Sequence, residues 1–163
     1  MKNNINKFLF TIICILISVI GVLSFAFKKI IKYADTNLQE TDRYRDYFIL
    51  LNHWLMLKQN NISISEYFMK KGYSNIAVYG MGFIGIRLCD ELKNTEVHIE
   101  RTVDRAASTV FHPLGVYNPS DGLADLNVDA VILTVNVDFD VIRSYMNNKE
   151  IPLIKLSDIM FDI

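Results

Sequence analysis

Three glycines, Gly80, Gly82 and Gly85, stand in G-x-G-x-x-G spacing directly after the apolar run Ile76–Tyr79. This spacing does its chemistry through the backbone. The first glycine makes a tight turn, the second lets a pyrophosphate approach the main chain, and the third lets the next helix pack on the strand. The helix start offers free N–H groups and a positive dipole end to an anion. Met81, Phe83 and Ile84 complete the turn and join the candidate site. Such a fold also wants an acid about twenty residues on, ending the second strand, to take ribose hydroxyls. Asp104 lies nineteen residues past Gly85 and ends the run Val97–Val103, with Arg105 beside it to steady a phosphate. Glu100, inside that run, reads as a solvated edge residue.

Other groups with chemical potential are weaker. Tyr145-x-x-x-Lys149 matches the tyrosine–lysine pair of short-chain dehydrogenases, in which lysine lowers the tyrosine pKa so that a phenolate acts as base. Tyr67-x-x-x-Lys71 fits the same pattern far from the turn, and the glycine spacing is not the one those enzymes use. His53, His98 and His112 have no ligand partner at i+3 or i+4, so no metal site is expected. His112 precedes Pro113 in a loop that faces the site at best. No G-x-S-x-G and no Walker lysine is present, which removes hydrolase and P-loop readings. Cys14 and Cys89 have no C-x-x-C neighbour, and no disulfide is expected. The expected catalytic set is empty.

The elements that would position the turn alternate. The expected strands are Asn75–Tyr79, Val97–Val103, Gly115–Tyr117, Ala130–Val135 and Pro152–Leu156. The expected helices are Phe83–Lys93, Phe139–Asn147 and Ser157–Phe161, with a short irregular piece at Arg105–Phe111 and a turn at Asn118–Gly122. Strand–helix alternation argues an α/β class with a Rossmann-like parallel five-stranded sheet in the order 3-2-1-4-5. Its switch point adds Thr134 and Asn136, after the fourth strand, to the candidate site. Ahead of the sheet, Ser63 to Glu66 reads as a capping box opening a short helix that ends at Gly72.

Composition divides the chain of 163 residues, whose mean hydropathy is +0.20. Phe8–Phe27 holds twenty residues without a charge, followed at once by Lys28, Lys29 and Lys32. The expectation is a retained transmembrane helix, with a cleaved signal peptide as the competing reading. Residues Tyr33–Asn60 contain no glycine or proline and carry Leu38, Tyr44, Tyr47, Phe48, Leu51, Trp54 and Leu55 at helical spacing. That region is expected as a long amphipathic helix whose stretch Tyr44–Leu57 docks a second copy or a membrane enzyme. The expected domains are 1–32 as anchor, 33–72 as helical linker and 73–163 as the nucleotide-binding domain. Residues 1–72 carry a balance of +5 and residues 73–163 a balance of −6. A net-acidic globular half argues against nucleic acid. Near-balanced flanking lysines leave the orientation to function, which places the domain in the cytoplasm.

The stretch GYSNIAVYGMGFIGIRLCDEL, with TVDRA downstream, resembles the small Rossmann domains of bacterial surface-polysaccharide proteins. The lead-in NHWLMLKQNNISISEYFMKKGY is similar to the helical segment before such domains, and the resemblance covers about Tyr44–Ile163. It implies that Gly80, Gly82, Gly85 and Asp104 meet a nucleotide or nucleotide sugar. The acetyltransferases of that group carry a β-helix with a catalytic histidine, and the dehydratases a far longer substrate region. Neither feature is present here. The expected function is a membrane-anchored module binding NAD(P) or a UDP-sugar, accessory to envelope or capsular polysaccharide assembly. The alternatives are a small oxidoreductase or epimerase-like enzyme completed by a partner chain, and a structural interaction protein with an empty crevice.

Overall fold

A computed structural model describes the chain from Lys2 to Ile163, apart from the side chains of residues 2–9, Thr11 and Cys14. It divides into two units, Met1–Asp46 and Tyr47–Ile163. Helix α1 (Lys2–Gln59) has no proline and a single glycine, Gly21, which explains its unbroken length. In the first unit every described side chain is exposed.

The transmembrane helix expected at Phe8–Phe27 is corrected. Among the described residues, no helix is long and apolar enough to cross a membrane. Phe8, Leu9, Thr11 and Cys14, in the first half of the expected span, lie outside the residues whose side chains are described.

The second unit is built on strands β1 (Asn75–Tyr79), β2 (His98–Val103), β3 (Ala130–Leu133) and β4 (Leu153–Lys155). All pairings are parallel, and the order is β2-β1-β3-β4. The expected five-stranded sheet is therefore corrected to four. The stretch Gly115–Tyr117 reaches the outer side of β2, where the expected order puts it as the third strand. It contributes only one parallel bridge, Val103 to Tyr117. Gly115 at φ +74° turns the backbone out of the extended region, and Pro119 starts a helix two residues after Tyr117, so no ladder can grow. Glu100 on this edge strand is exposed and pairs with His98 at 3.5 Å.

Strand side chains alternate between two buried faces, which is why the strands read as nearly continuous apolar runs. Ile76, Val78, Ala130 and Ile132 point to one side. There they meet α3 (Phe83–Leu92), α2 (Ile64–Lys71), α6 (Leu156–Asp162) and the residues Leu50, Trp54 and Leu57 of α1. Ala77, Tyr79, Val131 and Leu133 point to the other. They are covered by α4 (Pro119–Leu123) and α5 (Phe139–Tyr145), chiefly through Leu123 and Ile142.

Local chemistry sets the helix ends. Ser63 caps α2 by accepting the Ser65 N–H at 3.3 Å, and Gly72 closes it in the left-handed conformation at φ +79°. The turn expected at Asn118–Gly122 is instead α4. Asn118 accepts the Asp121 N–H at 3.1 Å as N-cap, and Pro119 occupies the first helical position. The last helix is fastened near its C-terminal end: His53 Nε2 lies 2.7 Å from the Met160 carbonyl, and the Tyr67 hydroxyl donates to Asp162 at 2.9 Å.

Candidate functional site

The strand order reverses between β1 and β3, so a crevice opens where their carboxyl ends part. Gly80 to Gly85 follow β1 there, Asp104 and Arg105 follow β2, and Thr134 and Asn136 follow β3. The topology thus brings the expected site residues to one edge of the sheet.

The glycine turn is held from both neighbouring strands. The Gly80 N–H donates to the Val103 carbonyl at 2.8 Å. The Thr134 hydroxyl, fully shielded from solvent, donates to the Gly80 carbonyl and lies 3.2 Å from that of Tyr79. From the other side Asp104 reaches over, and its Oδ2 accepts the Met81 N–H at 2.6 Å. Its Oδ1 accepts the Ala106 N–H at 2.7 Å, which folds the chain after β2 back on itself. An ionised carboxylate has about four acceptor directions. Two are used by these amides, which leaves capacity for hydroxyl donors.

The three glycines are required for different reasons. A Cβ on Gly85 would stand 2.0 Å from the Gly80 carbonyl oxygen, so α3 approaches the turn closer than any side chain allows. Gly80 sits at φ +98°, and a Cβ there would meet Thr134 Oγ1 at 2.7 Å and Val135 Cγ1 at 2.8 Å. Gly82 has neither constraint. Its backbone, φ −76° and ψ −162°, is ordinary extended chain, and a Cβ would meet nothing within 4 Å. It is the N-cap of α3 and supplies no side-chain bond to the first amides of that helix. The space beside Gly82, at the start of α3, is open.

The remaining expected residues divide between core and surface. Met81 and Ile84 are buried with the sheet face that α3 covers, so only their backbone reaches the crevice. Phe83, Arg105 and Asn136 are exposed. Two groups were missed from sequence. Tyr79 ends β1 almost fully buried, and its hydroxyl has no hydrogen-bond partner among the described residues. Burial pushes its pKa up, and the nearby Arg105 charge pulls the other way. Its place as the last strand residue was the available signal. Phe111, on the segment between β2 and α4, is 89% exposed, as Phe83 is 79% exposed. Nothing in the spacing marked Phe111 as a surface aromatic.

The dehydrogenase-like pair does not assemble. Lys149 Nζ donates to the carbonyl of Arg143, and Arg143 returns a bond to the Lys149 carbonyl, so this lysine ties off a helix end. Tyr67 and Lys71 do adjoin, with the ammonium 5.1 Å from the ring centroid. There, burial and the Asp162 carboxylate raise the Tyr67 pKa, the wrong direction for a phenolate base. Among the described residues no group of His, Cys, Asp and Glu is arranged to hold a metal ion. Comparison with models of protein families, with curated proteins and with solved structures finds no match to this chain.

Proposed function

We propose that the unit Tyr47–Ile163 is a binding module for a nucleotide that carries a pyrophosphate, NAD(P) or a nucleotide sugar such as a UDP-sugar. The pyrophosphate lies over Gly82 and the first amides of α3, and Asp104 accepts from the ribose. Gly82 carries this reading. Packing accounts for Gly80 and Gly85, whereas the protein itself sets no demand for glycine at Gly82. A ligand that must come within van der Waals distance of the backbone does. The turn is also pre-organised by Thr134 and Asp104, so little ordering is needed on binding. On this reading the module delivers or senses its ligand. The sequence resemblance supports a role beside envelope or capsular polysaccharide enzymes.

Titration calorimetry of the whole chain with NAD, NADP and UDP-glucose tests this. Saturable binding of one of them, lost in Gly82→Val with the fold intact by circular dichroism, is the expected result. Absence of heat with all three, or the same affinity in Gly82→Val, overturns it.

A further inference from the structure

In the second unit, α1 buries Leu50, Trp54 and Leu57 against its own core. It leaves Phe48, Leu51 and Leu55 at 72%, 40% and 56% exposure. Leu51, Leu55 and Trp54 floor a groove of about 310 Å³ whose rim carries Lys58, Arg87, Asp90 and Glu91. The exposed three are spaced three and four residues apart, the spacing of a coiled-coil seam. In the sequence the same three–four spacing continues back through Tyr44, Thr41, Asn37, Ala34, Ile30 and Phe27. In the first unit Tyr44, Ile30 and Phe27 are 60%, 64% and 65% exposed. Of that line Tyr44, Phe48, Leu51 and Leu55 form a contiguous exposed apolar seam, the pattern that paired helices use.

The charges beside the seam identify the partner. With Phe48 at an a position and Leu51 at d, Glu40 is a g residue and Arg45 the e residue five places on. Within one helix residues five apart lie on different faces, so this pair does not meet. Arg45 turns instead to Asp42 at 3.1 Å and Asp46 at 3.9 Å, all highly exposed. Across two parallel helices in register, g and the next e face each other and set partner and orientation. Asn37, at a core position of the seam, meets its own copy there, and a polar core residue fixes register. We propose that α1 pairs with α1 of a second copy of this chain as a parallel, in-register coiled coil through the Tyr44, Phe48, Leu51 and Leu55 seam.

The test uses the full chain carrying Cys14→Ser, kept in solution with a non-ionic detergent. Light scattering, corrected for bound detergent, gives the mass of two chains at micromolar concentration. Phe48→Glu with Leu55→Glu gives the mass of one chain while near-ultraviolet dichroism stays native. Under mild oxidation Tyr44→Cys forms a disulfide-linked dimer, because parallel register places each seam residue opposite itself. Asp46→Cys, on the outer face, does not. Glu40→Arg and Arg45→Glu each weaken self-association roughly fivefold, and mixing the two variants restores it as a heterodimer. A single-chain mass for the parent protein, equal cross-linking at Tyr44→Cys and Asp46→Cys, or failure of the mixture to pair each overturns the proposal.

Discussion

Replacing each glycine of the turn by alanine separates packing from binding, because the three positions meet different surroundings. At Gly85 the added Cβ lies 2.0 Å from a carbonyl oxygen that Thr134 holds in place. Overpacking of this kind costs about 1–3 kcal/mol and sometimes more. Helix propensity returns up to about 1 kcal/mol, since glycine is a poor helix former. Because the obstacle is backbone and cannot rotate away, the upper end applies, and Gly85→Ala is expected to lose about 2 kcal/mol. At Gly82 the terms nearly cancel. Fewer unfolded conformations favour alanine by about 0.4–1 kcal/mol, while alanine is the poorer N-cap by a similar amount. Gly82→Ala is therefore expected to shift stability by less than about 0.5 kcal/mol yet lower nucleotide affinity at least about tenfold, or about 1.4 kcal/mol. Urea denaturation with the slope checked for constancy gives the stabilities, and calorimetry gives the affinities. A Gly82→Ala chain that is as destabilised as Gly85→Ala, or that binds like the parent, refutes the division of roles.

Other outcomes follow from single groups. Asp104→Ala frees the Met81 and Ala106 amides and is expected to cost about 1–2 kcal/mol, the lower part of the range for bonds to a charged group because the site is half-exposed. Denaturation checks the stability term, and weaker NAD or UDP-glucose binding checks the ribose term. Burial pushes the Cys89 thiol up to about 11, with Asp90 adding to it. Its folded pKa exceeds its unfolded value, so the stability it contributes is full below about pH 9 and is lost as pH rises towards 11. Alkylation of Cys89 at neutral pH should accordingly be slow in the native chain and fast in urea. The hydroxyl of Tyr67, and then the charge of Lys71, hold the Asp162 carboxyl below its ordinary 3.8. That contact is present above this value and is lost as pH falls through the lowered one. Hydrogen exchange in α6 should rise in acid for the parent, and be raised already at neutral pH in Asp162→Asn.

The parts of the fold read correctly from sequence are those in which local pattern and tertiary demand agree. Asn75–Tyr79 is apolar because both sheet faces are covered, and the glycines after it follow from the tight turn and the close helix. The expected third strand is absent because Gly115–Tyr117 has strand-like composition but makes a single bridge, with Gly115 turning the backbone out of the extended region. Helix α4 was hidden because Asn118, Pro119, Ser120, Asp121 and Gly122 are turn formers that here serve as N-cap and first helical turn. The apolar stretch at Tyr44–Leu57 was read as one face, whereas Leu50, Trp54 and Leu57 turn inward and Phe48, Leu51 and Leu55 outward. At the site, spacing marked Asp104 as a ribose acid. Its bond to the Met81 amide joins residues from two strands, and no periodicity encodes that.

The central claim is that a pyrophosphate rests on the turn at Gly82. Phosphorus magnetic resonance of NAD or UDP-glucose, titrated with the full chain, observes that group itself. The account predicts that the pyrophosphate resonances shift and broaden with the parent chain and with Asp46→Ala, a control outside the candidate site, and stay put with Gly82→Val. Resonances that are unmoved by the parent chain, or moved equally by Gly82→Val, contradict it.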